Sequence, residues 1–266
     1  MSDVIPTNLA PDSAYLFERM TVQTLRSTLP EPGRRVLDVG SGVGQDSVAL
    51  AREGASVVGA EPSARMTAMA KLFQSDPLPG GAKAPVWVRG WADALPFADE
   101  SFDASFCKGA LDHFDDPITA IAEMARVTRR DGRVVLAIAN FDSLACRVTR
   151  ALDHVREVWF GWPPLRGRRG YDTPSDHFTR YELALMREQA ARSIEVEREI
   201  GISLGWGMPG WSGWLARMPA GIARGALALA DRLARRLPSF ADVVILVGRP
   251  RPDQSMRTPR RARTAW

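Results

Sequence analysis

The chain has 266 residues, of which 45% are hydrophobic and 25% are charged, and it contains two cysteines and three histidines. This hydrophobic content excludes an intrinsically disordered protein, and two cysteines are too few for a disulfide framework. The net charge of +4 would suit a nucleic-acid-binding protein, but residues 249–266 hold six arginines and one aspartate. This surplus exceeds the net charge of the whole chain, so the remainder is close to neutral and no nucleic-acid partner is expected.

The N-terminal residues are polar and lack the apolar segment of a signal peptide. The longest uncharged stretch, 200–216, contains several glycines and a proline, and it is too short to span a bilayer. The sequence therefore predicts a cytoplasmic protein.

Hydrophobic periodicity predicts strands and helices that alternate regularly between residues 35 and 140. A helix at 13–29 precedes them. The predicted strands cover 35–39, 55–60, 85–89, 101–107 and 132–139, with helices at 45–53, 63–73 and 117–129 and a turn at 130–132. This alternation favours an α/β fold with a parallel sheet and helices on both faces.

The pattern is less regular after residue 140. Helices are predicted at 143–158, 180–191 and 220–237, and strands at 194–202 and 240–247. Two stretches are predicted to be irregular: 159–176, which is rich in glycine, proline and arginine, and 205–219, which is rich in tryptophan and glycine. The arginine- and proline-rich residues from 249 onward are predicted to form a disordered tail.

The most informative motif is the run from Val36 to Asp46, in which a buried strand leads into Gly40-Ser41-Gly42-Val43-Gly44 and then into a helix. Glycines permit positive φ and let a ligand approach the backbone, and the helix presents unpaired N–H groups. A dinucleotide fingerprint would need glycine where this chain has Gln45, which weakens the interpretation as a pyrophosphate site.

Glu61 ends the second predicted strand, about 20 residues after the glycines. A carboxylate at this position is placed to accept hydrogen bonds from both hydroxyls of a ribose. Together, the glycine turn and this acid indicate a site for a nucleoside-containing ligand.

These motifs resemble those of class I methyltransferases that depend on S-adenosylmethionine (SAM), in the small-molecule branch that includes ubiquinone and menaquinone methyltransferases. Three further segments resemble the same family, namely 90–97, 101–113 and 132–141. The resemblance implies a Rossmann-like, seven-stranded sheet with helices on both faces and a C-terminal substrate cap.

The resemblance also implies the roles of individual residues toward SAM. Asp38 would orient the glycine turn, and Glu61 would hold the ribose. The other implied contacts are Gly40, Ser41, Gly42 and Gln45 to the methionine moiety, Pro62, Met66, Trp91, Ala92 and Asp93 to the adenine, and Lys108 and Gly109 near the sulfonium.

On the same basis, residues 1–248 would form one methyltransferase domain, with a SAM-binding core at 34–141 and substrate-cap insertions at 142–193 and 205–239. Residues 249–266 would lie outside it. Asn140 and Asp142 follow the fifth strand, but a third ligand for magnesium is not evident, so no metal is expected.

Two histidines are candidates for catalysis. His113 follows the fourth strand on the ligand-bearing edge of the predicted sheet, and His177 leads into the helix before the sixth strand. Histidine can act as a general base near neutral pH, although a histidine that only packs or caps at these positions is the alternative. His154 lies in the middle of a predicted helix among charged residues, where a surface position is expected.

Aromatic residues are concentrated in the irregular C-terminal stretches, where they would roof the acceptor site. An aromatic, glycine-rich roof suits an apolar acceptor, although tryptophans that simply cover the sheet are an equal alternative. The substrate-side candidates are Tyr15, Trp159, Trp162, Tyr171, Tyr181 and Trp206.

The predicted helix at 220–237 combines five apolar residues with four arginines. Packing against the core is the favoured interpretation, and peripheral contact with an anionic membrane at its inner face is the alternative. The apolar residues are Ile222, Leu227, Leu229, Leu233 and Leu237.

The sequence thus predicts an enzyme that transfers a methyl group from SAM to a small, largely apolar acceptor such as a lipid, a quinone or a specialised metabolite. A SAM-binding regulatory or scaffold protein without turnover is the alternative. An RNA methyltransferase that uses the arginine-rich tail is a third hypothesis.

Overall fold

The structure is a computed structural model that describes residues 9–28, 32–74, 78, 81–162, 171–172 and 177–252. Most of the predicted tail, from residue 253 onward, lies outside the described residues, but its first two residues, 249 and 250, belong to the last strand of the sheet and are not disordered as predicted. Much of the predicted irregular stretch between 159 and 176 also lies outside the described residues.

Seven strands form one sheet in the order β3-β2-β1-β4-β5-β7-β6. The strands are β1 (Arg35–Val39), β2 (Ser56–Ala60), β3 (Val86–Val88), β4 (Phe102–Lys108), β5 (Thr128–Ala139), β6 (Ile194–Ile202) and β7 (Val243–Pro250). The first five are mutually parallel, and β7 is antiparallel to both β5 and β6. The predicted seven-stranded α/β sheet is therefore confirmed.

Helices occur before and between the strands. They are α1 (Pro11–Ser27), α2 (Gln45–Arg52), α3 (Ala64–Phe73), α4 (Pro117–Val127), α5 (Leu144–Phe160), α6 (Leu183–Ala191), α7 (Trp211–Ala216) and α8 (Ala220–Arg236). Short 3-10 turns lie at Leu111–His113 and Pro238–Phe240.

The central strands form because they are continuous apolar runs that helices cover on both faces. In β1, Leu37 and Val39 are fully buried in one core cluster, while Val36, which precedes Leu37, is fully buried in the other. Successive side chains of a strand point to opposite faces, so this alternation assigns one cluster to each face of the sheet.

The fifth strand differs from the prediction, which placed a turn at 130–132 before it. β5 instead begins at Thr128, and its register against β4 shifts by three residues, because Phe102 pairs with Thr128 but Ala104 pairs with Arg133. Gly132 lies in this bulge, where an added Cβ would be 2.6 Å from the carbonyl oxygen of Asp103. The glycine therefore permits a bulge inside a continuous strand, where the sequence suggested a strand boundary.

The irregular C-terminal stretches are also more ordered than predicted. Helix α5 extends to Phe160, so Trp159 lies in its last turn, and the short helix α7 forms within the stretch 205–219. Helical periodicity alone could not find α7, because its six residues make fewer than two turns.

Helix α8 is attached through a narrow face. Ala223, Leu227 and Ala234 are buried, whereas four of the five apolar residues of the predicted core-packing face are exposed. These four are Ile222, Leu229, Leu233 and Leu237. The expectation that these four residues pack on the core is wrong. The helix is buried instead through small alanines, such as Ala234, which lies against Gly201 of β6, and the prediction considered only the larger apolar residues.

One buried carboxylate fixes α8 to its neighbours. Asp231 is fully buried and accepts hydrogen bonds from Arg19 of α1 at 3.2 Å and from the backbone N–H of Ser203 at 3.3 Å. Arg235 also pairs with it. The carboxylate thus joins α1, α8 and the end of β6.

Among the described helices, none combines the length and the apolar character that a membrane-spanning segment requires.

The contact between α8 and β6 makes a testable prediction. An added Cβ on Gly201 of β6 would lie 2.2 Å from the carbonyl oxygen of Ala234, which is backbone and cannot rotate away. Gly201→Ala should therefore lower the free energy of unfolding by about 1–3 kcal/mol or more, measured by urea denaturation.

Gly225→Ala is the matched control, because an added Cβ at this helical position meets nothing within 4 Å. It should raise stability by roughly 0.5–1 kcal/mol through helix propensity. Equal effects of the two substitutions would contradict the close contact.

Candidate functional site

The candidate site lies where the carboxyl ends of three adjacent strands meet. β1 pairs with β2 on one side, up to Val39 opposite Ala60, and with β4 on the other, where Asp38 lies opposite Phe106. The segments that follow these strands begin with Gly40, Glu61 and Gly109. In open α/β sheets, ligands bind at this edge.

The glycine turn after β1 is fixed by backbone hydrogen bonds. The N–H groups of Gly40 and Ser41 both donate to the carbonyl oxygen of Ala60, at 2.9 and 3.2 Å, and the N–H of Gly44 donates to Ser41 at 2.8 Å. Gly40, Gly42 and Gly44 all have positive φ, a backbone conformation that residues with a Cβ rarely adopt. The turn then leads into α2, whose first residue is the exposed Gln45.

The three glycines of this turn serve different purposes. An added Cβ on Gly40 would lie 2.6 Å from Cβ of Ala110 in the segment after β4, and one on Gly44 would lie 2.1 Å from the indole of Trp87 in β3. At Gly42 an added Cβ would meet nothing within 4 Å. Gly40 and Gly44 therefore permit internal packing, and Gly42 is the member of the motif with open space beside it.

Trp87 is a residue that sequence reasoning missed. Its indole covers Gly44 and Gly59, and its Nε1 donates to Gln74 at 3.3 Å. The sequence contains both Gly44 and Gly59 and the tryptophan that covers them. Their contact could not be predicted, because it depends on the register of β2 against β3, in which Gly59 pairs with Trp87.

Glu61 is held between two backbone donors. Its Oε2 accepts from the N–H of Gly42 at 3.1 Å, and its Oε1 accepts from the N–H of Ser63 at 2.9 Å, at the start of α3. A carboxylate offers about four acceptor positions, so about two remain for the hydroxyls of a ligand. The side chain is thus oriented before any ligand binds.

The hydroxyl of Ser41 is buried, and its Oγ has no hydrogen-bond partner among the described residues. An added Cβ on Gly59 would lie 2.8 Å from this oxygen, so the hydroxyl points toward β2. It is an unsatisfied polar atom directly at the glycine turn.

The predicted adenine-side residues lie along the next segments of the same edge. Pro62 and Met66 are half-buried around the start of α3, and the guanidinium of Arg89 donates to the carbonyl oxygen of Pro62 at 3.2 Å. Ala92 and Asp93 are half-buried, while the side chain of Trp91 is exposed. The structure thus brings these residues near one end of the sheet, and their contact with a ligand stays a prediction.

Lys108 uses its side chain where the sequence analysis assigned a role to its backbone. Its Nζ lies 2.7 Å from a carboxylate oxygen of Asp46 in α2 and donates to Thr21 of α1 at 2.7 Å. The next residue, Gly109, has positive φ and donates its N–H to Ala137 of β5 at 2.8 Å. The lysine therefore ties α1 and α2 to the end of β4.

Asp38 lies beneath the turn and is fully buried, and it accepts a hydrogen bond from Ser47 at 2.7 Å. Burial, followed by the nearby charge of Asp46, raises the pKa of Asp38 to about 8. The Ser47 hydrogen bond and the Lys108 charge act in the opposite direction. At neutral pH this carboxyl group is therefore largely protonated.

The two candidate catalytic histidines meet at one place. Nδ1 of His177 lies 3.0 Å from Oδ2 of Asp112, Nε2 of His113 lies 4.0 Å from Oδ1 of Asp112, and the two imidazole rings pack edge to face. Asp112, which the sequence analysis did not single out, is buried between them. The group lies just after β4, next to the Ala110 that packs on Gly40.

Comparison with known families agrees with this geometry. Residues 37–136, from β1 to β5, match the methyltransferase domain family. The sheet, with its helices, has the fold of class I methyltransferases.

Similarity to individual proteins extends over parts of the chain. The demethylmenaquinone methyltransferase of Beutenbergia cavernae is 38% identical over 122 residues, which is 46% of either chain. The methyltransferase GfsG of Streptomyces halstedii is 33% identical over 184 residues, which is 63% of either chain. The chain thus spans less than two thirds of the length of both relatives.

A solved structure shows the same fold. A SAM-dependent methyltransferase from Thermotoga maritima superimposes with a TM-score of 0.54 at 17% identity, over 90% of either chain. Its similarity therefore extends into the C-terminal third, where the family model does not match.

Two of the six substrate-side candidates, Tyr15 and Tyr181, lie in the interior of the fold. Tyr181 is fully buried, and its hydroxyl donates to Gln189 at 2.8 Å, while Tyr15 packs with Leu215 and Leu227 in a small cluster between α1, α7 and α8. These tyrosines are core residues, which corrects the expectation that they face an acceptor. Burial of their large apolar rings stabilises this position. The prediction was wrong because the sequence does not show which aromatic residues the helices cover.

The other four candidates lie nearer the surface. Trp159 and Trp162 are exposed at the end of α5, and the hydroxyl of Tyr171 donates to the buried Asp153 of the same helix at 2.9 Å. Trp206 donates from Nε1 to Ser13 at 3.0 Å, which ties the segment after β6 to α1. Contact of these residues with an acceptor stays a prediction.

The raised pKa of Asp38 predicts how stability depends on pH. In the unfolded chain this carboxyl group ionises near its ordinary pKa of 3.8, whereas in the folded domain it keeps its proton up to about pH 8. The unfolded state therefore binds fewer protons in this window, and the contribution of Asp38 to stability falls as the pH rises from about 4 to 8.

Asp38→Asn removes this ionisation and retains an acceptor for Ser47. The stability of the variant relative to wild type, from urea denaturation, should increase between pH 5 and pH 8 by on the order of 1 kcal/mol per pH unit and level off above pH 8. Asp242, whose pKa is also raised by burial, is present in both proteins and cancels. Parallel pH profiles would contradict the assignment.

Proposed function

We propose that the protein is an enzyme that uses SAM to methylate a small, largely apolar acceptor. The single observation that carries the proposal is the position of Glu61, whose carboxylate is held by the N–H groups of Gly42 and Ser63 beside the open face of Gly42. This is the arrangement that a ribose needs, and it occurs within a class I methyltransferase fold.

The chemistry of the surrounding groups fits SAM. Glu61 would accept the ribose hydroxyls through its remaining lone pairs, and the unsatisfied Ser41 hydroxyl and the N-terminus of α2 lie at the turn that would face the methionine moiety. Half-buried Pro62, Met66 and Ala92 would provide an apolar surface for the adenine. Bound SAM supplies a methyl group that is already activated by its sulfonium.

Since the methyl donor is already activated, the main task of the protein is alignment. The backbone hydrogen bonds of the turn and the two donors to Glu61 fix the donor side before binding, so little ordering remains to be done in the complex. Proximity and orientation can supply on the order of 7–11 kcal/mol of the lowering of the barrier.

The proposed acceptor side is formed by residues 142–193 and 205–239, and the donor side by residues 34–141. The name of one relative supports a small acceptor, since it is a demethylmenaquinone methyltransferase. Aromatic side chains around α5 and after β6 support an apolar acceptor, such as a lipid, a quinone or a specialised metabolite.

Binding of SAM is the first test. Wild-type protein should bind SAM in calorimetry and unfold at a higher temperature in its presence, and Glu61→Ala should weaken binding by tenfold or more. Glu53→Ala, an exposed acid at the end of α2, is the matched control and should bind as wild type does. No binding by wild type, or equal affinity of Glu61→Ala, would overturn the proposal.

Turnover separates the enzyme from a SAM-binding protein without activity. With SAM labelled in its methyl group and a fractionated cell extract, wild type should transfer label to a compound that extracts into organic solvent, and Glu61→Ala should transfer much less. Binding of SAM without transfer to any fraction would favour the regulatory or scaffold alternative.

We also propose that α8 makes peripheral contact with an anionic membrane from the cytoplasmic side. Its exposed apolar stripe, formed by Ile222, Leu229, Leu233 and Leu237, is flanked by the exposed Arg232 and Arg236. The one acid of the helix, Asp231, is buried and paired with arginines. An apolar stripe beside exposed cations suits an interface with anionic lipid.

Vesicle sedimentation tests this contact. Wild type should sediment with vesicles that contain phosphatidylglycerol more than with pure phosphatidylcholine, and the double variant Leu229→Glu/Leu233→Glu should lose most of this binding. Leu72→Glu, at an even more exposed position on α3, is the control and should bind normally. Undiminished binding of the double variant would exclude α8 as the contact.

A further inference from the structure

Three side chains with metal-binding chemistry converge after β4. They are Asp112, His113 and His177, and each offers one ligand atom such that these atoms lie within 4.8 Å of one another. The separations are 3.0 Å between Nδ1 of His177 and Oδ2 of Asp112, and 4.0 Å between Nε2 of His113 and Oδ1 of Asp112. These two distances end on different oxygens of the carboxylate. Atoms bound to one zinc ion by bonds of about 2.0–2.2 Å lie roughly 3–4 Å apart, so atoms within 4.8 Å of one another would have to move closer to bind one ion.

The backbone holds these side chains together. The carbonyl oxygen of Asp112 accepts from the N–H groups of Phe178 and Thr179, at 2.8 and 3.2 Å, which fixes the segment that carries His177. The 3-10 turn that carries His113 is closed by the N–H of His113 donating to Ala110 at 3.0 Å. Residues far apart in sequence are thus positioned by main-chain contacts that do not depend on the imidazoles.

The electrostatics of Asp112 favour a cation at this point. Asp112 is 4% exposed, and its ion-pair partners among the described residues are the two imidazoles. A buried carboxylate is costly unless positive charge compensates it. A divalent ion bound by both imidazoles and the carboxylate would supply that charge.

We propose that Asp112, His113 and His177 form a binding site for a divalent transition-metal ion. Two imidazole nitrogens and one carboxylate oxygen suit Zn²⁺, Fe²⁺, Co²⁺ or Ni²⁺, whereas Mg²⁺ and Ca²⁺ prefer sites made of oxygen atoms. Three protein ligands would leave coordination positions open for water or a substrate atom, and the side chain of His113 is 41% exposed.

Ion binding at this site does not require the proposed function. Its consequence for the acceptor does rest on that function, because Ala110 of the same segment packs on Gly40 of the glycine turn. An ion here would therefore lie beside the donor side of the site. Its open positions would select an acceptor that carries a hydroxyl or carbonyl oxygen next to its apolar part.

Metal titration of the whole chain tests the site. Untagged protein, stripped with a chelator, should bind one equivalent of Co²⁺ with visible absorption bands and one equivalent of Zn²⁺ in calorimetry. His113→Ala and His177→Ala should each weaken Zn²⁺ binding at least tenfold. His154→Ala is the matched control, since this third histidine is exposed on α5, and it should bind as wild type does.

Folding and SAM binding are measured on the same proteins. Thermal unfolding should show that the variants are folded, and the double variant His113→Ala/His177→Ala should keep SAM affinity while it loses the ion. The proposal is overturned if wild type binds no ion, if the double variant still binds it, or if His154→Ala loses it equally. Failure of SAM binding with ion binding intact would contradict the proposed function alone.

Discussion

The arrangement of the site depends on the absence of side chains at two glycines. Gly40 lies so close to Ala110, and Gly44 so close to Trp87, that an added Cβ at either position would overlap its neighbour. These contacts bring the segment after β4 and the strand β3 against the turn after β1. Because both flanking contacts are steric, the turn keeps one shape, and Gly42 between them is presented with space beside it and its N–H bonded to Glu61.

The sequence was sufficient to predict the central sheet and the place of the glycine turn. Buried parallel strands are short apolar runs, and in β1 the run from Val36 to Val39 is bounded by glycines, so both type and limits could be predicted. The position of Glu61 could be predicted because this acid ends the second predicted strand, about 20 residues after the glycines. What each glycine does could not be predicted, because the contacts of Gly40 and Gly44 are with residues whose positions depend on strand register.

The remaining differences have a common physical cause, which is that packing between distant segments overrides local pattern. The bulge at Gly132 depends on the carbonyl of Asp103 in the neighbouring strand, and the face of α8 is decided by alanines that fit against β6. The position of Asp112 between the two histidines could not be predicted for the same reason. Its two imidazole neighbours could be placed at the correct edge separately, but their meeting depends on the backbone contacts of Phe178 and Thr179.

The position of β7 between β5 and β6 has a consequence for how the chain can fold during synthesis. When the ribosome has made β6, its partner strand β7 does not yet exist, and β5 has an open edge on that side. β6 can pair only after the later strand has inserted, and the two antiparallel ladders then form together. Completion of the sheet is thus delayed until almost the whole described chain has emerged, and the unpaired edge of β5 is the place where an incomplete chain would be prone to associate with others.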